Sequence, residues 1–450
     1  MTFPTYPHYK DSGVEWIKTI PATWNVSRIK NTTYLKGRVG WKGLTSDEFL
    51  DHGYSYLVTG TDFKNKYIDW TSCYSVDKER FEDDPFIQLQ NDDLLITKDG
   101  TIGKLAIVKE LNGYACLNSG IFLVRPLNTY LAEYMYWVLS SNSFRVFCDL
   151  SSQGSTIQHL YQNVFEKFLF PSPPKNEQKK IINFLDRETA KIDALIQEQE
   201  KLIELLKEKR QAVIRNAVCR GLDPNVPMKD SGVGALGMIP EHWNVDRLKK
   251  NILQISSGVS VNAIDIPAQK NEIAILKTSC VYSGEFNPLE NKTVLAEEIE
   301  RVTCSVTKDT LIVSRMNTPE LVGAAGLVRD QYQNIYLPDR LWKISFTKLS
   351  PAYVHYWTQT KFYRFLVEIS CAGTSSSMQN LTQDDFGNFI IAFPPFEEQQ
   401  SVVEYLNHEI KKFAELITES IAVIKILNER RSAVISAAVT GQIDVRNFGH

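Results

Sequence analysis

One stretch limits what this chain can become. Residues 177–220 contain no proline or internal glycine and are rich in Leu, Ile, Glu, Lys and Gln, mostly strong helix formers. Apolar residues recur in alternating steps of four and three, at Ile181, Leu185, Ile192, Leu195, Leu202, Leu206 and Val213. That is a heptad seam on one long helix. Pro173 and Pro174 precede it, Glu177 stands in its first turn and Gly221 follows it, all expected boundary signals. The pattern returns at Val402, Leu406, Phe413, Leu416, Val423, Leu427 and Val434, each 221 positions later, between Pro394-Pro395 and Gly441. At 1.5 Å per residue, a helix of roughly 40 residues is about 60 Å long. A single apolar stripe of that length needs a partner, and each helix is the obvious partner of the other.

Charge along the seam selects a direction. Glu188, Gln199 and Lys209 interrupt the first stripe, and Glu409, Ser420 and Arg430 the second. Parallel pairing sets like charges against each other. Antiparallel pairing sets Glu188 near Arg430 and Lys209 near Glu409, which is mildly favourable. The helices are therefore expected to run antiparallel.

The rest of the chain is also written twice. Lys10-Asp-Ser-Gly-Val14 returns as Lys229-Asp-Ser-Gly-Val233, and Ile20-Pro-x-x-Trp-Asn-Val26 as Ile239-Pro-x-x-Trp-Asn-Val245. Asp92–Ile96 and Asp309–Val313 are short apolar runs that read as strands. Gly154-Ser-Thr-Ile-Gln158 is echoed around Gly373–Gln379, and a Pro-Pro pair and long helix follow in each half. The fold expected is α+β: two mixed α/β domains joined by two long helices in an antiparallel coiled coil, with a pseudo-two-fold internal repeat. Its parts are a first domain at 1–172, a helix at 173–221, a linker at 222–228, a second domain at 229–393, a helix at 394–441 and a tail at 442–450. A duplicated frame with divergent inner surfaces suits the binding of two different things, or of two parts of one thing.

Catalytic motifs are missing from the sequence. Gly103-Lys104 lacks the glycine spacing of a phosphate-binding loop, and there is no G-x-S-x-G elbow. Seven cysteines stand singly with no C-x-x-C pair, and seven histidines are scattered, a poor basis for a metal site. Net charge is −3, so the bulk composition does not point to nucleic acid. Basic residues do cluster locally, at Lys36, Arg38 and Lys42 and at Arg247, Lys249 and Lys250. No apolar run is long enough for a membrane span, the start of the chain has no signal-type stretch, and the expected location is cytoplasmic. An interaction scaffold and an enzyme with an unusual motif remain alternatives on these residues alone.

The duplicated Lys-Asp-Ser-Gly-Val and Ile-Pro-x-x-Trp segments, the loop Thr97-Lys-Asp-Gly-Thr-Ile-Gly103, the Gly-Ser-Thr-Ile-Gln block and the Pro-Pro-x-x-Glu-Gln helix entry together resemble the specificity subunit of type I restriction–modification systems. The resemblance covers essentially the whole chain. In the second half Ser314-Arg-Met-Asn-Thr-Pro319 replaces the glycine-flanked loop, a departure that leaves open whether the two loops make equivalent contacts. The resemblance implies a non-catalytic subunit that reads double-stranded DNA, each domain taking one part of a split asymmetric site. It implies two modification (methyltransferase) subunits that bind S-adenosylmethionine, restriction subunits that use ATP and Mg²⁺, and no cofactor on this chain. Arg and Lys pair with guanine, Asn and Gln with adenine, and phosphate contacts set the register. On that chemistry the candidate DNA contacts are Lys98, Asp99, Thr101, Ser155, Thr156 and Gln158 in the first domain, with Lys36 and Arg38 for the backbone. In the second they are Arg315, Asn317, Thr318, Ser376 and Gln379.

Overall fold

The computed structural model describes residues 3–38, 44–151, 159–371 and 377–448. Lys42 and the candidates Ser155, Thr156, Gln158 and Ser376 lie outside them. The chain divides into two compact units, Met1–Gln199 with Ile421–His450, and Glu200–Ser420. Each unit therefore holds the start of one long helix and the end of the other.

The first unit is built on a four-stranded antiparallel sheet in the order Thr33–Gly37, Ile121–Pro126, Leu94–Thr97, Leu105–Ile107. The run Leu94–Thr97 is buried throughout because both faces of the sheet are covered. Side chains alternate along a strand, so Leu94 and Ile96 enter the core shared with the long helices, while Leu95 enters a second core. That second core is roofed by Ser55–Val58, which pairs antiparallel with Tyr74–Val76 and parallel with Ala115–Leu117.

The second unit repeats this plan. Its sheet runs Ile252–Ser257, Leu341–Phe346, Leu311–Ser314, Ala325–Leu327. Leu311 and Val313 face one core and Ile312 the other. Ala274–Leu276 pairs antiparallel with Asn291–Val294 and parallel with Ile335–Tyr336. Ala263–Ile264 extends this sheet at its edge.

Two helices, Lys175–Arg220 and Phe396–Val439, have 46 and 44 residues. The repeated sequence motifs meet at their entries. Trp24 is fully buried and donates its indole N–H to Glu177 at 2.9 Å; Trp243 does the same to Glu398 at 3.0 Å. Gln178 donates to the Pro173 carbonyl at 2.8 Å and accepts from Leu131 N at 2.9 Å. Gln399 matches it with Pro394 at 3.0 Å and Ser350 at 2.8 Å. Thus Ile-Pro-x-x-Trp and Pro-Pro-x-x-Glu-Gln, some 150 residues apart in sequence, form one joint that satisfies buried polar groups.

The helices run antiparallel, as contacts inside each unit show. In the first unit Ile181, Ile182 and Leu185 share a core with Val434, Ile435, Ala438 and Val439, and Asp193 pairs with Arg431 at 2.8 Å. In the second, Ile214, Ala217 and Val218 share a core with Val402 and Leu406. Tyr134 donates to the Val439 carbonyl at 3.3 Å, and Tyr353 to that of Val218 at 2.9 Å. Lys209 lies close enough to help hold the Glu409 carboxyl below its usual range, though Lys412 is the main cause. The expected Glu188–Arg430 pair does not form. Glu188 bonds Lys191 on its own helix at 2.7 Å, and the charge pair across the helices is one position on, at Arg431.

The seam also differs from a heptad. Leu195, Leu202, Leu416 and Val423 are 47, 41, 46 and 40% exposed. The inward residues recur every eleven positions instead: Ile181, Ile192, Ile203 and Ile214, then Val402, Phe413, Ile424 and Ile435. Six of these eight are buried, and Ile203 and Ile424 are half-buried. A straight helix drifts about 20° per heptad, so by mid-helix the seven-residue pattern has turned outward and Ile196 and Ile203 have turned in. Among the described residues, no helix is long and apolar enough to cross a membrane and no cluster of ligating side chains could hold a metal ion.

Candidate nucleic-acid interface

In the first unit the strand Leu94–Thr97 ends in the loop predicted to touch DNA. Thr97, 4% exposed, accepts from Lys104 N at 3.0 Å through its hydroxyl and donates to the Thr101 carbonyl at 2.5 Å. Gly103 N closes on the Thr97 carbonyl at 3.0 Å. Gly100 and Gly103 have φ of +67° and +85°, the left-handed region that glycine enters without a Cβ penalty. The turn holds Thr101 exposed and Lys98 and Asp99 half-exposed. Two backbone bonds fix Lys98: its N–H to Gly120 at 2.8 Å, and Leu160 N to its carbonyl at 3.0 Å. Its ammonium lies 5.1 Å from the Phe122 ring centre.

The second unit carries the same frame despite its different sequence. Arg315 N donates to Arg340 at 3.0 Å and the Arg315 carbonyl accepts from Leu381 N at 2.8 Å. Lys98 and Arg315 are thus the same structural position, and each presents a cation. The Arg315 guanidinium is steadied by Nε donating to the Asp339 carbonyl at 2.7 Å. The loops that differ in sequence are therefore equivalent in backbone placement.

Other candidates fare unequally. Asn317 and Gln379 are brought together as direct partners in a two-residue antiparallel ladder. Gln379 is half-exposed. Asn317 is only 8% exposed, with its amide donating to the Tyr282 hydroxyl at 2.7 Å and its carbonyl oxygen accepting from Thr318 N at 2.9 Å. It braces the loop and is closed to a base. Thr318 is exposed, and its carbonyl accepts from Leu321 and Val322 at the following turn. Arg38 corrects the expectation of a phosphate contact. It is 2% exposed, and its Nε donates to the Leu117 carbonyl at 2.9 Å. The guanidinium ties the end of the Thr33–Gly37 strand to Cys116 and Leu117 of the other sheet, because donors inside a core must find acceptors. Lys36 remains partly open, its ammonium 5.9 Å from the ring of the exposed Phe86.

Sequence reasoning missed His159. Its Nδ1 lies 2.5 Å from Asp99 Oδ1, with both side chains 41% exposed. The signal was present: His159 directly follows the Gln158 block, and Asn380 directly follows Gln379 at the same offset. Beside it, a cavity of about 400 Å³ is lined by Ile102, Gly103, Arg145, Asp149, His159 and Tyr161 among others.

Comparison with known proteins agrees with this duplicated plan. The family model for the type I restriction modification DNA specificity domain matches twice, at residues 21–205 and 240–425. The chain is similar to the EcoKI specificity subunit of Escherichia coli K12, 22% identical and covering 94% of this chain and 90% of that protein. It is likewise similar to the MjaVIII specificity subunit of Methanocaldococcus jannaschii, 24% identical with 95% of each covered. Among solved structures, one from work on complex assembly and conformational transition of the type I R-M system superposes with a TM-score of 0.69 at 15% identity, over 93% of this chain and 98% of the other. The HsdS subunit of Thermoanaerobacter tengcongensis superposes at 0.52, also at 15% identity, over 94% of this chain and 98% of its own. With the domain matched in both halves and the same backbone frame built twice, the chain belongs to the type I restriction–modification DNA specificity family.

Proposed function

We propose that this chain is the non-catalytic DNA reader of a type I restriction–modification complex, each unit recognising one half of a split, asymmetric duplex site. The observation that carries this is the repeated frame around Lys98 and Arg315, which presents a cation at one position in both units amid different neighbours. Shared scaffold and divergent surroundings are what two unlike half-sites require, since sequence is read by side chains at base edges while backbone contacts set the register. The antiparallel helices set the distance between half-sites. At 1.5 Å per residue each is about 65–70 Å long, against roughly 34–36 Å for one turn of DNA. The helices and the domain edges also dock the partners: two modification subunits carrying S-adenosylmethionine, and restriction subunits carrying ATP and Mg²⁺. The complex works in the cytoplasm, where the host DNA lies.

The test is a map of methylated adenines in the host genome with this gene present and deleted. A two-part motif with a fixed gap, lost on deletion, is the expected outcome. Methylation that is unchanged by deletion, or a motif without a gap, would overturn the reading.

A further inference from the structure

The two-fold frame allows the units to be compared position by position. Leu160 N bonds the Lys98 carbonyl and Leu381 N bonds the Arg315 carbonyl, so the residues just before these leucines, His159 and Asn380, are equivalent. The residues just after the cations, Asp99 and Met316, are equivalent as well. In the second unit Met316 and Asn380 are direct partners across the ladder. In the first, Asp99 and His159 meet side chain to side chain at 2.5 Å. One facing pair therefore stands beside the presented cation in both units, as a side-chain contact in the first and as ladder partners in the second. It is Asp–His in one and Met–Asn in the other, with scaffold bonds unchanged around it.

We propose that this pair helps determine which half-site each unit reads, with His159 and Asn380 as base-contacting residues. The inference rests on the DNA-reading role proposed above. The chemistry of each pair points to a class of base. A carboxylate only accepts hydrogen bonds, so Asp99 receives one from Nδ1–H of His159, and in the neutral ring Nε2 is then an acceptor. An acceptor held at the loop mouth selects a base with an exocyclic amine, adenine or cytosine. Met316 gives Asn380 no such partner. The Asn380 Oδ1 is buried without a hydrogen bond among the described residues, and such an unsatisfied atom calls for an explanation. A turn of the amide on contact with DNA offers both its donor and its acceptor, the set that pairs with adenine.

The experiment uses the complete complex of this chain with its modification subunits, and two duplexes: the site mapped from genomic methylation and a scrambled sequence. His159→Ala is expected to weaken binding to the site by about tenfold, within the discrimination one base contact provides. Binding to the scrambled duplex stays unchanged, and base preference relaxes at one position of the first half-site only. His159→Asn is expected to move the preference at that position rather than abolish it. Asn380→Ala relaxes one position of the other half-site. Unaltered preference at every position in all three variants would overturn the proposal. So would equal losses on both duplexes, which mark a phosphate contact. A failure of the underlying role looks different: the unmutated complex would itself bind the two duplexes equally.

Discussion

At the scale of single residues, placement separates side chains that sequence chemistry had grouped together. Arg38 and Arg315 were both candidates as exposed cations. Arg38 is spent on the Leu117 carbonyl inside the fold, whereas Arg315 keeps a half-exposed place at a loop mouth. Arg315→Ala is expected to cost about 1–3 kcal/mol of specific DNA binding with little change in melting temperature. Arg38→Ala should do the reverse, lowering thermal stability because carbonyls inside the fold lose their donor; thermal melts and duplex titrations of both variants check this. His355 supplies a pH prediction. Burial lowers its pKa, and its Nε2 lies 2.6 Å from the Gly284 carbonyl. A histidine whose folded pKa is depressed binds more protons unfolded than folded once pH drops through its unfolded value near 6.5. Stability is then complete above that pH and declines below it. The melting temperature of the wild type should fall as pH drops from about 7 to 5, and His355→Gln should flatten that slope.

Elements were more legible than contacts. The helices, their ends, their direction and the central strands could be read from periodicity and repeats, because burial imposes period on sequence. What could not be read was which face of a long helix stays inward. Steps of four and three build both a seven- and an eleven-residue repeat, and only the accumulated rotation over several turns separates them. Leu195 and Leu202 fit only the first repeat and Ile203 only the second, while Ile192 fits both, and exposure favours the second. Leu202→Ala is therefore expected to change stability by no more than about 0.5 kcal/mol, and Ile192→Ala to cost about 2–4 kcal/mol, as denaturant titration would measure. The candidate site was half legible for a similar reason. Residue type identified Lys98 and Arg315, but the Asp99–His159 meeting joins positions 60 apart in sequence, and no local pattern encodes such a pair.

On the scale of the whole molecule, the beginning and end of the chain close one unit together. Asp444 N donates to the Pro4 carbonyl at 2.7 Å, and Gln442 donates to the Thr19 carbonyl at 3.0 Å. Gly441, at φ +72°, leaves room for Pro21, since a Cβ there would stand 2.4 Å from its ring. At the other closure, Gly221 and Met228 flank the short connection 222–227. Joining the ends by a linker of similar length and opening the chain at 222–227 should give a protein with the melting temperature and DNA selectivity of the original. A permuted chain that does not fold would refute this equivalence of the two closures.

The shared closures carry a consequence for inheritance. Because each compact unit borrows its last helical turns from the other repeat, neither half of the gene encodes a self-sufficient body. A product cut at its midpoint would lack the turns that cap its own core, and would have to trade ends with a second copy.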